Sequence, residues 1–114
     1  MTVIYGIKNC DTVKKTLKWL DNNNINYEFH DFRVNGINTT LINKFTQLID
    51  WELLLNKRST TFRALDESIK KNLDENTFKN IVLEQPTLIK RPVLLINNTL
   101  HVGFKEQQYQ ELFN

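Results

Sequence analysis

Cys10 is the only cysteine in a chain of 114 residues. It stands in Tyr5-Gly6-Ile7-Lys8-Asn9-Cys10-Asp11-Thr12-Val13-Lys14-Lys15, after an apolar run and before a lysine-rich one. The thiolate, not the thiol, is the nucleophile, so chemistry here depends on what stabilises the anion. A helix starting at this point offers free N–H groups and the positive end of its dipole, and both favour the thiolate. Lys8, Lys14 and Lys15 add positive charge, while Asp11 opposes them. The competing reading is an inert, buried side chain, which is what a lone cysteine usually is. Asn9 and Asp11 weigh against it, because such flanks favour an exposed turn.

The other residues suited to chemistry are basic. Arg91-Pro92 directly precedes the apolar run Val93-Leu94-Leu95-Ile96. Proline suits the first position of a strand, where no N–H need be donated. Arg58 and Arg63 lie in Asn56-Lys57-Arg58-Ser59-Thr60-Thr61-Phe62-Arg63, which has few apolar anchors and otherwise reads as a solvated loop. His30 and His101 fall in expected strands, far apart in sequence, and read as structural or surface groups. There is no His-x-x-x-His, glycine-rich phosphate loop or Ser/His/Asp set. One thiol excludes an internal disulfide and a zinc site of several thiolates, so no metal is expected.

Bulk composition narrows the class. The size is that of one domain, residues 1–114, with 40% apolar and 25% charged residues. A net charge of +2 is too small to imply nucleic acid or a membrane surface as partner. No apolar run has the length of a membrane span, and the first residues lack a secretory pattern. The expected setting is the reducing cytoplasm, where a thiol stays free, and the expected state is a monomer.

These residues need elements to position them. Residues 2–7 are short, β-branched and aromatic and read as a first strand. Residues 12–22 carry Val13, Leu17 and Leu20 at helical spacing, with Asp11 or Cys10 as the cap and Asn22-Asn23-Asn24 as the stop. Residues 25–34 read as a second strand, parallel to the first across the helix. Val3, Tyr5, Tyr27 and Phe29 should then lie in or near the core. Helices are expected over 39–50, 66–73 and 74–86, a helical turn over 51–55, and a polar connector over 56–65. Two apolar runs, 92–97 and 99–104, flank Asn97-Asn98 and predict an antiparallel hairpin. A closing helix over 105–113 turns Tyr109, Leu112 and Phe113 inward. This order, βαβ, helices, then ββα, matches the thioredoxin arrangement: an α/β fold with a mixed four-stranded sheet and a helical insertion over about 38–88. Such a sheet places ligands at the carboxyl ends of its strands, where Cys10 stands.

Taken together, Tyr5–Lys15, Asn56–Arg63 and Ile89-Lys90-Arg91-Pro92-Val93-Leu94-Leu95 resemble the ArsC/Spx superfamily of thioredoxin-like proteins. Phe29-His30-Asp31-Phe32-Arg33-Val34-Asn35-Gly36 and Gly103-Phe104-Lys105 are similar to its YffB branch, described as glutathione-dependent thiol reductases related to arsenate reductase. The resemblance spans nearly the whole chain. It implies that Cys10 is the nucleophile and that Arg91, before a cis proline at Pro92, binds an oxyanion. A second oxyanion arginine matches Arg58 with an offset of about two residues, Asn56 being the ungapped match. Lys8, Asn9 and Lys14 complete the expected binding set. A third family arginine is replaced by Gly103, and the His-Asn-Pro-Ala run before the cysteine by Gly6-Ile7-Lys8-Asn9. Both departures weigh against arsenate as substrate. The implied chemistry is that of an oxidoreductase with no bound cofactor, using glutathione as co-substrate, or glutaredoxin as partner. The alternative is a non-enzymatic, Spx-like regulator that binds RNA polymerase. Its usual Cys-x-x-Cys switch is missing, because Val13 stands at the second position.

Overall fold

The computed structural model describes residues 1–114. The elements run β1 (Thr2–Gly6), α1 (Asp11–Asn22), β2 (Glu28–Asp31), α2 (Thr39–Leu48), α3 (Trp51–Leu54), α4 (Thr60–Arg63), α5 (Glu67–Lys71), α6 (Glu75–Glu84), a 3-10 turn (Pro86–Leu88), β3 (Val93–Ile96), β4 (Thr99–Val102) and α7 (Glu106–Leu112). No helix is long and apolar enough to cross a membrane. Two compact units result, one of residues 1–36 with 91–114, the other of residues 37–90.

The first unit is a thioredoxin-like α/β fold. Its sheet has the order β2-β1-β3-β4, with β1 parallel to β2 and antiparallel to β3, and β3 antiparallel to β4. Ile4 and Leu94 are paired across β1 and β3 and point to one face, where Leu20 of α1 and Tyr109 of α7 meet them. All four are fully buried. Val3, Tyr5, Val93 and Leu95 alternate to the other face and are buried too, so the two central strands read as unbroken apolar runs. Asn97 and Asn98 have φ of 50° and 63° and close the β3–β4 hairpin, which is why this dipeptide announces the turn so clearly.

The second strand is shorter than its aromatic composition predicts, covering 28–31 rather than 25–34. It is an edge strand, and pairing on one side supports fewer residues. Tyr27 and Phe29 are accordingly only partly buried, packed against the rim of the core.

The hydroxyl of Tyr109 is buried without a protein hydrogen-bond partner, and burial pushes its pKa well up. The ring is held by Trp19, Phe104 and Phe113, at centroid distances of 5.7, 4.8 and 5.9 Å. Packing therefore accounts for this side chain. Tyr109→Phe is expected to be as stable as the wild type or more so, by up to about 1 kcal/mol, because an unsatisfied buried hydroxyl costs more than it returns. Urea denaturation of the two proteins measures this.

The second unit is helical. Phe45, Leu54, Phe78, Val82, Leu88 and Ile89 are fully buried in it. The stretch 56–65 is more than the expected polar connector, since it contains α4. Ser59 Oγ accepts the Phe62 N–H at 3.1 Å and caps this helix, a local signal too short to show a period. The helix expected over 74–86 stops at Glu84, ahead of Pro86, which opens the separate 3-10 turn.

Asp74 Oδ1 accepts the Thr77 N–H at 2.8 Å at the start of α6, and this bond lowers the carboxyl pKa from its ordinary 3.8. A lowered folded-state value means stabilisation that is complete above the unfolded value and lost as pH falls through the folded one. The stability gap between wild type and Asp74→Ala should be open at neutral pH and close below about pH 4. Urea titrations at several pH values read it directly.

Candidate functional site

The first unit builds a loop at the carboxyl end of β1. After Gly6 the chain buries Ile7, exposes Lys8 and Asn9, and turns back so that the Cys10 N–H donates to the Ile7 carbonyl at 3.0 Å. Cys10 is the N-cap of α1, with φ −80° and ψ 125°, and its carbonyl accepts the Lys14 N–H at 3.0 Å. Of the two caps the sequence allows, the structure takes Cys10. Asp11 is the first helical residue, where its charge favours the helix dipole. The Cys10 side chain makes no capping hydrogen bond. The thiol is half-buried and free, at the positive end of a helix of 12 residues. Lys8, Lys14 and Lys15, its neighbours in the chain, are exposed.

The loop and the helix are held close to the sheet. A Cβ on Gly6 would lie 2.7 Å from Cγ2 of Val13, closer than side chains pack. Glycine is therefore what lets α1 sit on the strand end. Val13 is fully buried, so the position of the absent second cysteine is filled by core.

Arg91 and Pro92 reach the same end of the sheet through β3. Val93 pairs with Tyr5, so Pro92, one residue earlier on the antiparallel strand, is level with Gly6. The Arg91–Pro92 bond is cis. Pro92 is buried, and its carbonyl accepts the Gly103 N–H at 2.9 Å. Arg91 is half-buried, with its Nε enclosed. Gly103 has φ +80°, and a Cβ there would meet nothing within 4 Å. The position that the resemblance gives to a third arginine is thus open space on a left-handed backbone that favours glycine.

Lys8, Asn9, Cys10, Lys14, Arg91 and Pro92 all belong to the first unit. Arg58 belongs to the second, where it is exposed in the turn before α4. That turn is organised by Asn56, whose Oδ1 accepts the Arg58 N–H at 3.2 Å and whose own N–H donates to the Leu88 carbonyl at 2.8 Å. His30 Nε2 lies 2.7 Å from the Gly36 carbonyl, so it donates there. Its ring packs on Tyr5 and Phe32, at 5.1 and 5.9 Å, as a structural group.

Sequence reasoning passes over Asp31. It is 6% exposed, and its Oδ2 accepts the Lys8 N–H at 3.2 Å. The signal available was a carboxylate between His30 and Phe32 in an aromatic run.

The sequence pattern of the ArsC family matches residues 5–112. The chain belongs to the ArsC family. Among solved structures of the family's kind, the YFFB protein is 42% identical, with 97% of each chain covered and a TM-score of 0.90. An arsenate reductase (ArsC) related protein from Brucella melitensis is 43% identical over 99% of this chain and 94% of its own, with a TM-score of 0.82. Among curated relatives, the global transcriptional regulator Spx 2 of Bacillus anthracis is 26% identical over 97% of this chain and 86% of its own. This chain is thus similar both to a protein named as arsenate reductase related and to one named as a transcriptional regulator.

Proposed function

We propose that this ArsC-family chain is a glutathione-dependent thiol reductase of arsenate-reductase type, with Cys10 as its single nucleophile. The observation that carries the reading is the half-exposed thiol at the N-cap of α1, at the sheet end that also holds Arg91 and Pro92. The thiolate is the attacking species, and partial exposure lets Cys10 reach an electrophile.

The cycle needs two thiol–disulfide exchanges. The Cys10 thiolate attacks the glutathione sulfur of a mixed disulfide. The S–S bond of that substrate breaks, its other thiolate leaves and takes a proton from water, and a Cys10–glutathione disulfide forms. A second glutathione, as thiolate, attacks the glutathione sulfur of this disulfide. Oxidised glutathione leaves and the Cys10 thiolate returns. The sulfur of the second glutathione is oxidised and the substrate's own sulfur is reduced, while the first glutathione's sulfur stays at the disulfide level throughout. Lys8, Lys14 and Arg91, with Asn9 and Pro92 lining the loop, would hold the glutathione carboxylates and backbone. Glutaredoxin could replace the second glutathione, and the reducing cytoplasm supplies both. Arsenate fits less well, since Gly103 stands where the resemblance implies a third arginine.

The test is the rate of Cys10 alkylation against pH, alone and with glutathione disulfide, sulfate or arsenate. Glutathione disulfide should block alkylation and arsenate should not. A rate unaltered by glutathione disulfide at every pH would overturn the reading.

The second reading is an Spx-like regulator that binds RNA polymerase, favoured by the similarity along nearly the whole chain to Spx 2. Polymerase retained equally by wild type and Cys10→Ser, with no disulfide turnover, would select it.

A further inference from the structure

We propose that Asp31 is the positioning residue of the thiol loop, its carboxylate holding the segment between β1 and α1 in the geometry that presents Cys10. The catalytic consequence rests on the reading of Cys10 as nucleophile, whereas the structural role does not.

Asp31 is the one charged side chain among the buried residues. In the β1–β2 register it lies opposite Gly6, the last residue of β1. Its two oxygens serve two backbone donors. Oδ2 accepts the Lys8 N–H at 3.2 Å, and Oδ1 accepts the Arg33 N–H at 2.8 Å. The backbone of Asp31 is fixed in turn. Its N–H donates to Asn35 Oδ1 at 2.9 Å, and its carbonyl accepts the N–H groups of Asn35 and Val34, at 2.7 and 3.1 Å. The Phe32 N–H donates to the Gly6 carbonyl at 2.8 Å, locking this turn to the end of β1.

The carboxylate is therefore held from its own side and reaches across to Lys8, two residues before the thiol. Lys8 follows Ile7, whose carbonyl receives the Cys10 N–H, so the Asp31 bond anchors the turn that places the N-cap. Burying a carboxylate is costly unless it is hydrogen-bonded, and bonds from N–H to an ionised oxygen are stronger than neutral ones. A neutral acceptor would serve the Arg33 turn alone. Two acceptor oxygens on one side chain serve both turns at once.

Asp31→Asn offers one oxygen and one NH₂, so one of the two backbone donors must face another donor. With a mixed disulfide of glutathione as substrate, kcat should fall about tenfold or more, because small displacements of a reacting group are expensive. KM should stay within about twofold, because the basic binding groups remain. Alkylation of Cys10 by neutral iodoacetamide should slow. Loss of a negative charge near the thiol, with the loop unmoved, would instead speed it. Wild-type kcat in Asp31→Asn, or faster alkylation, would overturn the proposal.

A second measurement needs no variant. In the wild-type chain the Lys8 amide should exchange with solvent at least about tenfold more slowly than a free amide. Unprotected exchange at Lys8 would also overturn the proposal. If the wild type turns over no glutathione mixed disulfide, the nucleophile reading falls, while Lys8 exchange and Cys10 alkylation still decide the role of Asp31.

Discussion

Cys10→Ser should abolish reduction of glutathione mixed disulfides, lowering kcat/KM to background, a loss on the order of a thousandfold or more. A serine hydroxyl in the same place is almost wholly protonated at neutral pH and forms no disulfide. The chain holds no second thiol to substitute, and Val13, three residues after Cys10, is in the core. The replacement is nearly isosteric at a half-buried position whose side chain makes no capping bond, so stability should change by less than about 1 kcal/mol. Activity and urea denaturation measured on the same preparation separate chemistry from folding. Retained turnover in Cys10→Ser would place the chemistry elsewhere and sink the proposed function.

The second large effect is on Gly6. In Gly6→Ala the new methyl would lie 2.7 Å from Cγ2 and 3.3 Å from Cγ1 of Val13. Val13 has little freedom to give way. It is fully buried, and a β-branched side chain in a helix has one strongly preferred rotamer. The first turn of α1 must then lift from the strand, taking Cys10 with it, or the strand end must move. The expected cost is about 1–3 kcal/mol, the range for overpacking a close-packed core. The contact can be isolated. Val13→Ala alone should destabilise through lost burial, yet added to Gly6→Ala it should recover part of the loss, because it removes both clashing methyls. A double-mutant cycle in urea, followed by the Cys10 alkylation rate, reads both consequences. Strict additivity of the two substitutions would show that the methyl finds room without moving α1.

The same contact shows where local reading stops. Gly6 and Val13 are ordinary residues for the end of a strand and the face of a helix. Nothing in their spacing says that one must lack a Cβ because the other lies on it. Asp31 is a similar case. A carboxylate in an aromatic strand is an oddity in sequence, and only the parallel pairing of β1 and β2 brings it to the Lys8 amide. The short helix α4 was hidden for another reason: four residues carry no measurable period, and its cap is a single serine bond.

What the amino-acid sequence determined by itself was local or periodic. Apolar runs marked both central strands, helical spacing placed Val13 and Leu20 inward, and Asn97-Asn98 made the hairpin, since left-handed backbone is cheap for asparagine. It also placed Cys10 at a helix start, because capping depends on neighbours in the chain. The tertiary structure decided everything that depends on strand pairing and close approach. The antiparallel register of β1 and β3 sets Arg91-Pro92 level with Gly6, and the β1–β2 register carries the Asp31 carboxylate to the thiol loop. Edge position trims β2. These are interactions between residues distant in the chain, whose geometry exists only once the sheet has formed.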